Sequence, residues 1–123
     1  MRIVALALLL GGCAGAGEGI AARDADALAA TLAGRTPAPA VDCIDARAAL
    51  HVEARTLIAT DGSRLWRNEA AGCIGLDSDV VVIVEPSGSQ LCRGDRFRTL
   101  PRGGSIPSPY CRIERFVPYV QAP

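Results

Sequence analysis

The positions of the cysteines constrain the fold of this 123-residue chain more than any other feature. Cys13 stands alone near the start, and the other four are Cys43, Cys73, Cys92 and Cys111. Their spacings of 30, 19 and 19 residues contain no C-x-x-C pair, which argues against a zinc ribbon or a thioredoxin-type redox site. We therefore expect two structural disulfides rather than four buried free thiols. Four cysteines can pair in three ways, and of these we predict Cys43–Cys92 with Cys73–Cys111.

The first twelve residues have the pattern of a bacterial export signal. Arg2 precedes an unbroken apolar run over residues 3–10, which suits the core of a signal peptide and is far shorter than the roughly 20 residues that span a bilayer. Leu10-Gly11-Gly12-Cys13 resembles the lipobox of bacterial lipoproteins, in which the thiol accepts the acyl chains. We predict a signal peptide over residues 1–12 and a lipidated Cys13 that anchors the chain to a membrane. The alternative is ordinary cleavage at Ala14-Gly15-Ala16, which would discard Cys13.

Either kind of processing leaves four cysteines, and this even count supports the export prediction independently. Ala14 stands where lipoproteins retained in the inner membrane carry Asp, by resemblance to lipoprotein sorting rules. The expected location is therefore the outer membrane, facing the periplasm. With ordinary cleavage the protein would be secreted to the periplasm.

The rest of the chain divides into three segments. Residues 13–21 are rich in Gly and Ala and are expected to form a flexible tether. Residues 22–35 favour a short helix, with Leu28 and Leu32 on one face and Gly34 as its C-terminal cap. Residues 41–120 change to strand patterns separated by turns. They predict a mainly-β fold, a small antiparallel barrel or roll of about five to six strands.

Three local patterns in the β domain give specific structural predictions. Asp61-Gly62 predicts a hairpin turn. The five β-branched residues 80–84 predict a central strand buried on both faces. Residues 96–100 alternate in polarity, which places Arg96 and Arg98 on the same strand face.

All 13 basic side chains are Arg, and 13 acidic side chains balance them. A neutral chain has no net attraction for nucleic acid, so we exclude nucleic acid as a partner. The charge is unevenly distributed, with a net −5 over residues 14–90 and a net +4 over residues 91–123. Because guanidinium groups bind oxyanions bidentately, the basic segment contains a candidate anion-binding group. Its members are Arg93, Arg96, Arg98 and Arg102. The alternative is a solvated strand face that balances the acidic part of the same domain.

The single His excludes a multi-histidine metal site, and no metal or other cofactor is implied. His51 with Glu53 or Asp45 could form the acid/base pair of a small periplasmic hydrolase. No nucleophile motif such as G-x-S-x-G is present, so no catalytic residue is assigned. We interpret Arg93-Gly94-Asp95 as a turn in which Gly supplies conformational freedom and Asp caps backbone amides.

Four stretches together resemble a group of uncharacterised small exported bacterial proteins. They are Leu32-Ala33-Gly34-Arg35-Thr36, Val41-Asp42-Cys43-Ile44, Gly88-Ser89-Gln90-Leu91-Cys92-Arg93-Gly94-Asp95 and Phe116-Val117-Pro118-Tyr119. The resemblance spans about residues 32–119. It implies an exported single domain and supplies no catalytic residue and no ligand.

The sequence therefore predicts an envelope lipoprotein that acts as a non-enzymatic binding or structural module. The expected partners are the membrane, through Cys13, and an envelope protein or an anionic envelope polymer. Two alternatives stay open. One is the hydrolase that uses His51 with a carboxylate, and the other is a soluble secreted module that binds anions through Arg96 and Arg98.

Overall fold

The computed structural model describes residues 16–70, 73–77 and 79–123, so Cys13 and the predicted signal peptide lie outside the described residues. The described residues form one helix, α1 (Ala16–Thr31), and ten strands. The strands are β1 (Arg35–Pro37), β2 (Cys43–Asp45), β3 (Ala49–Glu53), β4 (Thr56–Asp61), β5 (Arg64–Asn68), β6 (Val80–Glu85), β7 (Gln90–Cys92), β8 (Arg96–Pro101), β9 (Cys111–Arg112) and β10 (Val117–Gln121).

All strand pairs are antiparallel, and they form three sheets. The largest sheet has the order β1-β10-β5-β4-β3, the second has the order β6-β8-β9, and the third is the pair β2-β7. The mainly-β class with one short helix is thus confirmed. The sheets do not close into a barrel, and there are more strands than predicted. Strands of two or three residues are too short to show alternation, which is why the sequence pattern missed β1, β2, β7 and β9.

One core joins the three sheets. Leu57 of β4 and Phe97 of β8 are fully buried, and Leu91 of β7 is nearly so. These side chains belong to a single cluster that also contains Phe116, just before β10. Each sheet thus buries one apolar face against the others in a shared core.

Strand β6 differs from its prediction. It lies at the edge of its sheet, paired only with β8 among the described strands. Val80, Val82 and Val84 pack against the core, whereas Val81 and Ile83 are 45% and 38% exposed. The prediction of burial on both faces is wrong because a run of β-branched residues specifies a strand but not what covers its second face.

Both predicted disulfides are present. Cys43–Cys92 joins directly opposed residues of β2 and β7, and Cys73–Cys111 ties the segment between β5 and β6 to β9. These bridges indicate an oxidising, extracytoplasmic compartment.

Two tight turns shape the largest sheet. The predicted hairpin at Asp61-Gly62 is confirmed, since Asp61 pairs with Arg64 and Gly62 has a φ of 62°. The turn between β3 and β4 has φ angles of 51° at Ala54 and 58° at Arg55, the pattern of a type I′ turn. The sequence gives no signal for this second turn, because neither residue is one of the types that favour positive φ.

The predicted helix over residues 22–35 is corrected at both ends. Helix α1 begins at Ala16, inside the predicted tether, because Ala and Glu favour a helix strongly enough to carry it through Gly17 and Gly19. It ends at Thr31, and Gly34 adopts the positive φ of 72° expected of a cap before β1 begins.

Candidate functional site

The structure distributes the four arginines of the predicted anion-binding group over three places. Arg96 and Arg98 lie on β8, where both are close to one tyrosine. Arg102 follows the far end of β8 and pairs with Asp79 at 2.8 Å. Arg93 follows β7 and lines a separate cleft with Arg67 and Arg115.

Acidic residues from earlier in the chain neutralise several arginines of the basic segment. Arg96 pairs with Glu85 at 2.8 Å, and Arg115 pairs with Asp42 at 3.0 Å. With the Arg102–Asp79 pair, these contacts match the alternative that the basic and acidic parts of the domain balance each other. Anion binding by the four predicted arginines together stays a prediction.

Strands β6 and β8 carry a solvent-facing surface that we call the outer face. Its directly opposed pairs are Val81 with Leu100, Ile83 with Arg98, and Glu85 with Arg96. On the other side of β8, Phe97 and Thr99 are buried, so the predicted alternation of this strand is confirmed. The outer face is consequently a mixture of aliphatic side chains and arginine.

Tyr110 packs on the outer face and organises its polar end. Its hydroxyl donates to Oε1 of Glu85 at 3.0 Å, while Arg96 binds Oε2 of the same carboxylate at 2.8 Å. The Cζ atoms of Arg96 and Arg98 each lie 4.5 Å from the centroid of the Tyr110 ring, a distance typical of cation–π contacts. The hydrogen bond from Tyr110 lowers the pKa of Glu85, and the bond from Arg96 adds to the effect. This carboxylate is therefore ionised at neutral pH.

The segment that carries Tyr110 is fixed to β8 by backbone bonds. Ser108 N–H donates to the Thr99 carbonyl at 2.7 Å, and Thr99 N–H donates to Ser108 Oγ at 2.9 Å. Thr99 Oγ1 donates to the Gly75 carbonyl at 2.9 Å. A Cβ at Gly75 would stand 2.9 Å from that hydroxyl oxygen, so glycine is required there. These bonds fix the segment that leads into Tyr110 against β8.

The two arginines beside Tyr110 differ in their electrostatic state. The charge of Arg96 is balanced by Glu85. Arg98 donates from Nε to the Ser108 carbonyl at 3.2 Å and, within the part of the chain that is described, forms no ion pair with an acidic side chain. Of these two arginines, only Arg98 carries a charge that no acidic side chain of the described residues balances. No local pattern in the sequence selects Tyr110, because its place beside β8 depends on the path of the intervening loop.

The candidate acid/base pair at His51 is formed only in part. His51 Nε2 lies 3.5 Å from Glu53 Oε2, and Thr31 Oγ1 donates to the other oxygen of Glu53. Asp45, the alternative partner, is bound by Arg47 instead, whose hydrogen bonds lower the pKa of Asp45 to about 2. Among the described residues no hydroxyl or thiol hydrogen-bonds to His51, so this pair has no aligned nucleophile.

Neither a metal-ligand cluster nor a membrane-spanning helix occurs among the described residues. Over the described ranges, no group of three or more His, Cys, Asp or Glu side chains could hold a metal ion. None of the helical residues that are described forms a stretch long and apolar enough to cross a membrane.

The turn prediction for Arg93-Gly94-Asp95 is confirmed. Gly94 has a φ of 90°, and Asp95 Oδ2 accepts from Cys92 N–H at 2.7 Å. Asp95 Oδ1 accepts from Ser87 Oγ at 2.9 Å. The carboxylate is thus engaged inside its own domain.

Comparison with known proteins returned no family model, no curated protein and no solved structure that matches this chain.

Proposed function

We propose that this chain is a non-enzymatic binding module of the bacterial cell envelope, and that its outer face docks a partner protein. The observation that carries the proposal is the exposure of Val81, Ile83 and Tyr110, which are 38–46% exposed on one rigid surface. Tyrosine and arginine are among the residues that contribute most to protein–protein interfaces. An exposed apolar surface with a polar rim is typical of a binding site on a soluble domain.

The charges on the outer face favour one kind of partner. Arg98 is uncompensated, whereas Arg96 and Glu85 neutralise each other. A partner that presents a carboxylate beside aliphatic or aromatic side chains would neutralise Arg98 and cover Ile83, which lies directly opposite it. Binding would then gain both apolar burial and a charge-assisted hydrogen bond.

The proposed location is the outer membrane, with the chain anchored through a lipidated Cys13 after removal of residues 1–12. The lipobox-like Leu10-Gly11-Gly12-Cys13 and the small residue Ala14 support this assignment. The two disulfides agree with it, because they require an oxidising compartment. Several acyl chains on one cysteine anchor a protein stably, whereas a single chain does not.

Site-specific photocrosslinking in bacterial cells tests the docking surface. A photoreactive amino acid at position 83 should give a discrete crosslinked adduct, and the same group at Val120 should give none. Val120 is the matched control because it is 49% exposed on β10, in a different sheet. The variant Arg98→Glu should abolish the adduct, and Arg102→Glu should leave it. Equal adducts from positions 83 and 120, or an adduct whose yield is unchanged by Arg98→Glu, would contradict the proposal.

The anchor is tested separately by intact mass of the non-reduced protein from membrane and soluble fractions. We expect a membrane-bound species that starts at Cys13, heavier by several acyl chains, and Cys13→Ser should remove it from the membrane. An unlipidated species that starts near Gly17 in the soluble fraction would overturn the anchor. That result would leave the docking surface to be judged by the crosslinking alone.

A further inference from the structure

A second arginine cluster lies away from the outer face. A cleft of about 390 Å³ opens between β5, β10 and the turn after β7. Its lining contains three arginines with two glutamates and two partly buried residues of β10, namely Arg67, Arg93, Arg115, Glu69, Glu114, Val117 and Tyr119. We call it the arginine cleft. Its residues are far apart in the sequence, so no local pattern could have predicted it.

The backbone around the arginine cleft is held in place. Arg93 follows the disulfide-bonded Cys92, and its own N–H donates to the Asp42 carbonyl at 2.7 Å. Gly94 N–H donates to the Ile113 carbonyl at 2.8 Å, which ties the turn to the segment that carries Glu114 and Arg115. Arg67 lies directly opposite Val117 in the sheet. A preformed site loses less entropy on binding than a mobile one.

The arginines of the cleft have more donors than the protein satisfies. Arg67 Nη2 pairs with Glu69 at 2.9 Å, but its buried Nε has no hydrogen-bond partner among the described residues. Arg93 is exposed and forms no ion pair with any acidic side chain in the described ranges. An unpaired buried donor on a charged group costs free energy, which a ligand recovers only if the Arg67 side chain turns this N–H toward the cleft. Of the charged residues in the lining, Arg67 and Arg115 are paired with Glu69 and Asp42, whereas Arg93 and Glu114 form no ion pair within the described ranges.

A second cleft, also lined by arginine residues, lies next to the arginine cleft. It has a volume of about 370 Å³, shares Arg67 and Glu69 with the arginine cleft, and adds Arg55. Arg55 is the second residue of the type I′ turn between β3 and β4, and this turn brings it to the second cleft.

We propose that the arginine cleft binds the oxyanion of a small ligand, a carboxylate or a phosphate group. Arg93 supplies an exposed guanidinium that no ion pair engages within the described ranges, and Arg67 lines the cleft beside it. Guanidinium groups match both kinds of oxyanion because their paired N–H groups bind two oxygens at once. Glu69 and Glu114 at the rim would accept hydrogen bonds from hydroxyl or ammonium groups on the rest of the ligand.

Titration of the isotope-labelled protein with inorganic phosphate and with acetate tests the proposal, with the arginine Nε–H signals followed by NMR at constant ionic strength. Saturable shifts of the Arg67 and Arg93 signals are expected. Shifts with both anions identify the shared oxyanion chemistry, and shifts with one alone identify that class of ligand. Absence of saturable shifts with either anion would overturn the proposal.

Variants give a second readout. Arg93→Ala should weaken binding of the effective anion about tenfold or more, because it removes a charge-assisted contact. Arg47→Ala is the matched control, since Arg47 also has an exposed side chain and pairs with Asp45 outside the cleft. Equal affinities for these two variants, with unchanged thermal stability, would refute the site. Arg93 lies outside the outer face, so this test and the crosslinking test fail independently.

Discussion

Asn68 offers the sharpest test of how the domain is held together. Its side chain is only 1% exposed, and it bonds to both backbone groups of Glu114, 46 positions later. Nδ2 donates to the Glu114 carbonyl at 2.7 Å, and Oδ1 accepts from the Glu114 N–H at 3.1 Å. These two bonds join β5 to the segment before β10 and hold one wall of the arginine cleft.

The free energy of this contact follows from the groups it satisfies. Asn68→Ala removes two hydrogen bonds and leaves a backbone donor and acceptor unpaired, each at a cost of about 1–3 kcal/mol when buried. The segment is only partly buried, and water can replace some of the lost bonding. We expect the free energy of unfolding to fall by about 2–4 kcal/mol, a large fraction of the 5–15 kcal/mol typical of a domain.

The variant Asn68→Asp removes the side-chain donor and keeps the acceptor, with almost no change in side-chain shape. The carboxylate can still accept from the Glu114 N–H, but it faces the Glu114 carbonyl without a proton to donate. Burial raises the pKa of the introduced carboxyl above its unfolded value, so the folded state binds more protons. The loss of stability relative to wild type should therefore be largest at neutral pH and shrink as the pH falls toward about 4.

Urea unfolding at pH 7 and at pH 4 measures both effects. Glu114→Ala is the control, because it removes an exposed side chain and keeps the backbone bonds, and it should change stability by less than about 0.5 kcal/mol. A loss below about 1 kcal/mol for Asn68→Ala, or an Asn68→Asp deficit that does not depend on pH, would refute the reasoning.

Three further predictions address the disulfide, the core and the surface charge. Replacing Cys43 and Cys92 together with Ala opens a bridge of sequence separation 49, and urea unfolding should show a loss of about 4 kcal/mol on the chain-entropy model; a loss below about 1 kcal/mol would contradict it. Phe97→Ala removes a fully buried ring and should cost about 3–5 kcal/mol by the same assay, whereas an unchanged midpoint would contradict the assignment of the core. Arg47→Ala should raise the pKa of Asp45 from about 2 toward its usual range in an NMR titration, and an unmoved pKa would contradict the ion pair. The stabilisation from this pair is present at neutral pH and is lost as the pH falls from about 4 to about 2.

Features that depend on a few neighbouring residues were predictable from the sequence. The hairpin at Asp61-Gly62 and the turn at Arg93-Gly94-Asp95 follow from backbone preferences that act within four residues. The mainly-β class follows from alternation and β-branching along the chain. Cysteine parity and spacing predicted two disulfides, and the predicted pairing of Cys43 with Cys92 is confirmed.

Features that depend on which segments meet were decided by the tertiary structure. The run at residues 80–84 specifies a strand, but only the order of the sheet makes it an edge with one face exposed. Tyr110 reaches Arg96 and Arg98 because Ser108 bonds to the backbone of β8.

The arginine cleft is the clearest example of a feature that only the tertiary structure decides. Sequence analysis grouped Arg93 with Arg96 and Arg98, because a single sequence shows only which residues are close along the chain. The folded chain places it with Arg67 and Arg115, since the pairing of β10 with β5 and the bonds of the turn after β7 bring distant positions together. Local backbone preferences fix secondary structure, whereas the joint burial of the apolar faces of separate sheets decides which charges become neighbours.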